Sequence, residues 1–139
     1  MRSEGSLAPE VEGWLRAFAG AVRAQDYQTA ARELVEPDVI AFGTVAPRVV
    51  GVDVLAREQW RVIWRATADF DFDYASARAE VAGDRAWVAI LWSSRGTDGV
   101  LAPRRAGRAT FVLARGADGV SARWRAVHTH FSMMPEGPA

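Results

Sequence analysis

The chain has 139 residues, and its 17 basic side chains balance its 17 acidic ones, so that its formal net charge is zero. The balanced charge disfavours nucleic acid or an anionic membrane as a partner, and no stretch reaches the ~20 apolar residues of a membrane span. The absence of cysteine from the sequence excludes disulfides and thiolate chemistry. We expect one cytoplasmic domain over residues 1–139, ordered from residue 8 to residue 134.

Two helices are predicted near the start of the chain. Apolar residues that include Trp14 and Phe18 recur three or four positions apart, which predicts an amphipathic helix over Pro9–Ala24. Asp26 is a predicted N-cap, because its carboxylate can accept hydrogen bonds from the free amides of a following helical turn. A short second helix over Tyr27–Val35 is therefore expected.

A third helix is predicted after two short strands. The strands are expected over Asp38–Phe42 and Arg48–Val50, which are rich in β-branched and aromatic residues. Residues Val52–Ala66 return to helical spacing of the apolar side chains. Trp60 and Trp64 lie one turn apart on this helix, so their indoles point the same way.

The remainder of the chain is predicted to form strands. Alternating apolar and polar residues between turn signals indicate an antiparallel meander whose last two strands meet at a hairpin turn over Gly116–Gly119. The predicted strands are Phe70–Val81, Trp87–Trp92, Arg104–Arg115 and Trp124–Ser132. Because the helices precede this meander instead of alternating with strands, we predict an α+β fold.

The two histidines, His128 and His130, both lie on the last predicted strand. Their spacing suits a metal pair, but no further histidine or cysteine exists as a third ligand, so we expect no metal. A structural role on the sheet face and an acid/base role stay open for them. A period of two assigns Trp124, Ala126, His128 and His130 to one face of the strand and Arg125, Val127, Thr129 and Phe131 to the other.

Several of these segments together resemble a known superfamily. They are Ala24–Tyr27 between the first two helices, Pro37–Gly43 at the first strand, Val50–Gly51 before the third helix, and Trp124 followed by Val127–Ser132. The chain resembles the nuclear-transport-factor-2-like superfamily, and within it the SnoaL-like and ketosteroid-isomerase-like domains. The resemblance implies a cone-shaped fold, in which a curved antiparallel sheet wraps three helices around a conical pocket, and usually a homodimer formed through the sheet. It does not imply one activity.

The catalytic residues of ketosteroid isomerases do not carry over to this chain. Those enzymes hold an oxyanion with a tyrosine and a neutral aspartic acid and move the proton with another aspartate. Phe18, Ala109–Phe111 and Phe42–Gly43 stand at those positions here, and none of them is ionisable. The last strand also resembles that of the association domain of calcium/calmodulin-dependent kinases, where arginines enter the pocket from the last two strands. Phe111 and Phe131 stand at those arginine positions.

An aromatic pocket is therefore the predicted ligand site. Arg108 is the candidate charge at this pocket, and the alternative is a solvated or interface arginine. The ligand is expected to be flat and weakly charged, because an unpaired charge buried against indoles would cost several kcal/mol. The candidate pocket residues are Trp14, Phe18, Phe42, Trp60, Trp64, Trp92, Arg108, Phe111 and Phe131.

Two functions stay open for such a pocket. The first is binding of a small apolar or aromatic molecule without turnover. The second is a cofactor-independent isomerase, cyclase, dehydratase or hydrolase that uses His128 or His130 as acid/base. The two hypotheses differ in which face of the last strand lies inside, since Val127, Thr129 and Phe131 facing the pocket would exclude both histidines from it.

Overall fold

The computed structural model describes residues 7–116 and 123–135. The first helix, α1, spans Pro9–Ala24, as the apolar spacing predicts, and begins with a proline that already has the required φ. Gln25 ends it in the left-handed conformation, with φ 54°. Its buried side chains form a stripe along one face, comprising Val11, Trp14, Leu15, Phe18, Ala19, Ala21 and Val22.

Two further helical segments follow. The second, α2, covers residues 27–34, as an α-helical turn over Tyr27–Thr29 and a π-helical turn over Ala30–Leu34. The third, α3, covers residues 52–66 and changes from α-helix to π-helix at Ala56–Trp60 before it ends in a 3₁₀ turn. Within the described residues, no helix is long and apolar enough to cross a membrane.

The strands form one six-stranded, curved sheet in the order β2-β1-β6-β5-β4-β3. Strands β3 to β6 pair as the predicted antiparallel meander, and the α+β fold class is confirmed. One pairing is additional, because β1 runs parallel to β6. The strands are β1 Val35–Phe42, β2 Val49–Val50, β3 Thr67–Ala82, β4 Arg85–Gly96, β5 Arg105–Arg115 and β6 Trp124–Met133.

A β-bulge in β6 overturns the predicted division of that strand into two faces. Leu113 of β5 pairs with Ala126, but its neighbour Val112 pairs with His128, so Val127 is an extra residue on β6. A bulge shifts the alternation by one residue. Thr129 and Phe131 therefore share the helix-facing side with Trp124 and Ala126, and both histidines lie on the outer face.

The core lies between the helices and the concave face of the sheet. Phe18 is its central ring, with centroids of the Trp14, Phe111 and Phe131 rings 5.3, 5.8 and 6.0 Å away. Phe111 is fully buried at the middle of β5. The hairpin turn predicted at Gly116–Gly119 lies, apart from Gly116, outside the described residues.

Candidate functional site

A cavity opens between α3 and the concave face of the sheet. Counted with its open mouth, it has a volume of about 530 Å³. Its lining comprises Phe18, Val22, Phe42, Gly43, Thr44, Leu55, Gln59, Trp60, Ile63, Trp64, Thr67, Phe70, Trp92, Ser94, Arg105, Thr129 and Phe131.

Seven of the residues that line the cavity are aromatic. Trp60 and Trp64 stack on each other with centroids 4.8 Å apart, which their spacing of one helical turn permits. Phe18 meets Trp64 edge-on at 6.0 Å. Across the cavity, Trp92 of β4 and Phe131 of β6 lie 6.1 Å apart. These rings give a flat apolar molecule surfaces to stack against on both the helix and the sheet side.

Gln59 fixes one rim of the cavity. Its side-chain oxygen accepts hydrogen bonds from the backbone amides of Val45 and Ala46, each at 2.8 Å. Its side-chain nitrogen donates to Thr44 Oγ1 at 2.9 Å. A Cβ on residue 43 would overlap the Gln59 side-chain amide, so the glycine at this position leaves room for it. The loop after β1 is therefore attached to the helix that carries both cavity indoles.

Arg105 is the buried charge of the site, with only 7% of its surface exposed. Its guanidinium lies 5.6 Å from the centre of the Trp92 ring, and its Nη2 donates to Met133 Sδ, a weak acceptor, at 3.4 Å. Burial lowers the pKa of Arg105 from its ordinary value, but a guanidinium remains protonated in proteins. The cavity therefore contains a permanent positive charge.

Ser94 lies directly beside Arg105. The two residues are cross-strand partners of β4 and β5 and so project on the same face, with Cβ atoms about 5 Å apart. Ser94 Oγ is buried and has no hydrogen-bond partner among the described residues. A hydroxyl and a guanidinium thus adjoin each other in the wall of a mostly apolar cavity.

Gly107 positions the Trp92 indole. It is the cross-strand partner of Trp92, and a Cβ on it would overlap both the indole and the carbonyl of Ser132. The ring occupies the space that a side chain would need, and its Nε1 donates to the carbonyl of Arg108 at 3.2 Å. A glycine at this rung therefore sets the sheet-side wall of the cavity.

Most of the predicted pocket residues line this cavity, namely Phe18, Phe42, Trp60, Trp64, Trp92 and Phe131. Trp14 and Phe111 do not, because they pack behind Phe18 in the core, with their centroids 4.9 Å apart. Arg108 is exposed on the other side of β5, where its Nε donates to Ser132 Oγ at 3.3 Å.

The histidines lie away from the cavity lining. His128 Nδ1 donates to the carbonyl of Ile40 at 2.8 Å, across the parallel pairing of β6 with β1. The Phe42 ring stands edge-on to the His128 and His130 rings, at 5.1 and 5.4 Å. Within the described ranges, no three His, Cys, Asp or Glu side chains come together as a metal site would require.

Six polar lining residues were not predicted, namely Thr44, Gln59, Thr67, Ser94, Arg105 and Thr129. The sequence does signal one of them. Gln59 lies on the apolar face of α3, one residue before Trp60, and a polar side chain at such a position needs a hydrogen-bond partner. Arg104 and Arg105 are adjacent and chemically identical, so only the register of β5 decides which of them enters the core.

A family model for the SnoaL-like domain matches residues 11–136 of the chain. The chain belongs to this SnoaL-like family. Its fold is that of the nuclear-transport-factor-2-like superfamily, so both parts of the resemblance drawn from the sequence are confirmed. No curated protein is significantly similar to this SnoaL-like chain in sequence.

Solved structures similar to the SnoaL-like chain are distant in sequence. A nuclear-transport-factor-2-like superfamily protein from Salmonella enterica has a TM-score of 0.74 and 17% identity, covering 93% of this chain and 92% of its own. A ketosteroid isomerase-like protein from Erwinia carotovora has a TM-score of 0.72 and 17% identity, and the match covers 91% of this chain and 95% of that protein. The association domain of C. elegans CaMKII has a TM-score of 0.66 and 17% identity, and the match covers 88% of this chain and 92% of that domain. Identities this low indicate a shared fold and not a shared activity.

Proposed function

We propose that this SnoaL-like protein binds a small apolar or aromatic molecule in the cavity between α3 and the sheet. The observation that carries the proposal is the wall of stacked and edge-on rings, built from Trp60 and Trp64 on one side and Trp92 and Phe131 on the other. Small-molecule sites are mostly apolar cavities with a few polar groups that orient the ligand. Ser94 and Arg105 are such groups here.

Binding is favoured over acid/base catalysis by the chemistry of the lining. Arg105 is the one ionisable side chain among the described residues that line the cavity, and an arginine does not exchange protons near neutral pH. His128 and His130 face away from the lining, as the bulge at Val127 requires. A reaction in this cavity would therefore lack a proton carrier supplied by the protein.

We further infer that two copies associate through the outer face of the sheet. Large apolar side chains are exposed on this face, namely Ile40 at 41%, Trp87 at 42% and Leu91 at 36%. The imidazoles of His128 and His130 lie on the same face and would then serve a structural role. Clusters of exposed apolar side chains of this kind are typical of protein interfaces.

The cavity proposal is tested with Nile red, a neutral apolar dye whose fluorescence rises on leaving water. Trp60→Ala and Trp64→Ala should each weaken dye binding about three- to tenfold, since each removes a stacking surface. Trp87→Ala is the matched control, because it removes an exposed indole that does not line the cavity.

Circular dichroism should verify that each variant is folded before dye binding is compared. If Trp60→Ala or Trp64→Ala does not fold, the corresponding Trp→Leu variant retains an apolar side chain without the stacking surface. Unchanged dye affinity in folded Trp60 and Trp64 variants would mean that these indoles are ordinary core residues and that the proposed site is wrong.

A further inference from the structure

The charge of Arg105 is not neutralised by the protein. Salt bridges in the described residues occupy seven other arginines, and Arg105 is not among them. Arg105 and Ser94 also line an open depression on the surface, and the carboxylate in that depression, Asp69, pairs with Arg95 at 2.9 Å. A buried charge without an ionic partner opposes folding, so its presence here calls for a compensating interaction.

The immediate surroundings of Arg105 leave its hydrogen-bonding capacity largely unused. A guanidinium has five N–H donors in a planar fork, and within the described residues only Met133 Sδ accepts from it, as a weak acceptor. Ser94 Oγ, on the adjoining rung, is a further polar group without a partner. The two side chains therefore offer several donors to one acceptor group that binds beside them.

From this arrangement, and on the basis of the proposed function, we infer that the ligand is an aromatic carboxylic acid. Its ring would lie among the indoles, and its carboxylate would accept from the Arg105 guanidinium and the Ser94 hydroxyl. A planar carboxylate matches the guanidinium fork with two parallel hydrogen bonds. The expectation of a weakly charged ligand rested on the cost of burying an unpaired charge, and Arg105 would provide the partner for that charge.

Cinnamate and cinnamamide provide the test, because they have the same flat body and differ only in the terminal group, a charged carboxylate in one and a neutral amide in the other. Calorimetric titration of the whole chain should give an affinity for cinnamate roughly ten- to a hundredfold above that for cinnamamide, as expected for charge-assisted hydrogen bonds. Arg105→Met should abolish this preference while it keeps an apolar stem beside Trp92. Arg108→Met is the matched control, since Arg108 is an exposed arginine of the same strand outside the cavity, and it should preserve the preference.

The possible results separate this inference from the proposed function. Equal affinity of the unmodified chain for the two compounds would overturn the carboxylate inference while it left an apolar cavity in place. A preference for cinnamate that survives Arg105→Met would overturn it as well. Absence of binding of either compound, together with no uptake of Nile red, would overturn the proposed function and this inference together. The comparison of two ligands on the unmodified chain requires no variant to fold.

Discussion

Gly107 permits the dense packing of the sheet-side wall, and this has a measurable consequence. Because a Cβ at Gly107 would overlap the Trp92 indole and a backbone carbonyl, Gly107→Ala must displace one of them. Overpacking of a closed core costs about 1–3 kcal/mol. We predict that Gly107→Ala lowers the free energy of unfolding by that amount and weakens Nile red binding, since the cavity wall moves.

Gly13→Ala is the matched substitution with the opposite expected sign. Gly13 is exposed within α1, and nothing lies within 4 Å of the position that its Cβ would take. An alanine in a helix interior is more stable than a glycine by about 0.5–1 kcal/mol. Urea denaturation of both variants measures the two effects. If Gly107→Ala is as stable as the unmodified chain, the packing of Trp92 on this glycine is looser than described.

At the scale of single residues, the aromatic part of the site was predictable and the polar part was not. Six of the predicted pocket residues line the cavity. Burial of large rings accounts for Phe18, Trp60, Trp64 and Trp92, whereas the Phe42 ring is 36% exposed and packs against the two histidines. Arg108 was chosen as the candidate charge, and the buried arginine is Arg105. Arginines are mostly exposed, and periodicity alone cannot identify which arginine of β5 is buried.

Asp26 acts at the scale of an element, because it begins α2. Its carboxylate accepts from the amide of Thr29 at 3.1 Å, and this hydrogen bond lowers the pKa of Asp26 below its ordinary value. A lowered pKa in the folded state means that ionised Asp26 stabilises the fold above pH of about 4, and that this contribution is lost as the pH falls further.

We therefore predict that Asp26→Ala lowers the free energy of unfolding at pH 7. The difference in this free energy between the variant and the unmodified chain should shrink as the pH falls from 5 to 3, a range that brackets the ordinary pKa of about 4. Asp26→Asn should keep most of the stability at pH 7, because asparagine is also a good N-cap. Chemical denaturation over this pH range measures the stability of both variants. A difference between Asp26→Ala and the unmodified chain that does not change with pH would contradict an ionised cap.

Elements were predicted well where they depend on local signals. The bounds of α1 follow from the apolar spacing and Pro9, and α3 ends at the predicted residue although its hydrogen bonding changes along its length. The bulge at Val127 escaped prediction, because one extra residue is selected by pairing with β5 and not by its own side chain. That one residue decided which face of β6 enters the cavity, and with it the place of both histidines.

At the scale of the whole molecule, association through the outer sheet face is open to direct measurement. Analytical ultracentrifugation at micromolar concentration should give a species of twice the 15.2 kDa mass of one chain. Leu91→Arg should shift it to the monomer, because a charge in an apolar interface loses its hydration without a partner. Val62→Arg, at an exposed apolar residue of α3, is the matched control and should remain dimeric. A monomeric unmodified chain would contradict the proposed interface.

The position of β6 in the sheet affects the order in which this fold can form during translation. β6 lies between β1 and β5, yet it is translated after both of them. Until it emerges, the β1–β2 ribbon and the β3–β4–β5 ribbon share no edge, and Phe131 is missing from the cavity wall. Long-range pairing of this kind is slow and leaves apolar surface exposed meanwhile. The six-stranded sheet can therefore close only once β6 is free to pair with both ribbons.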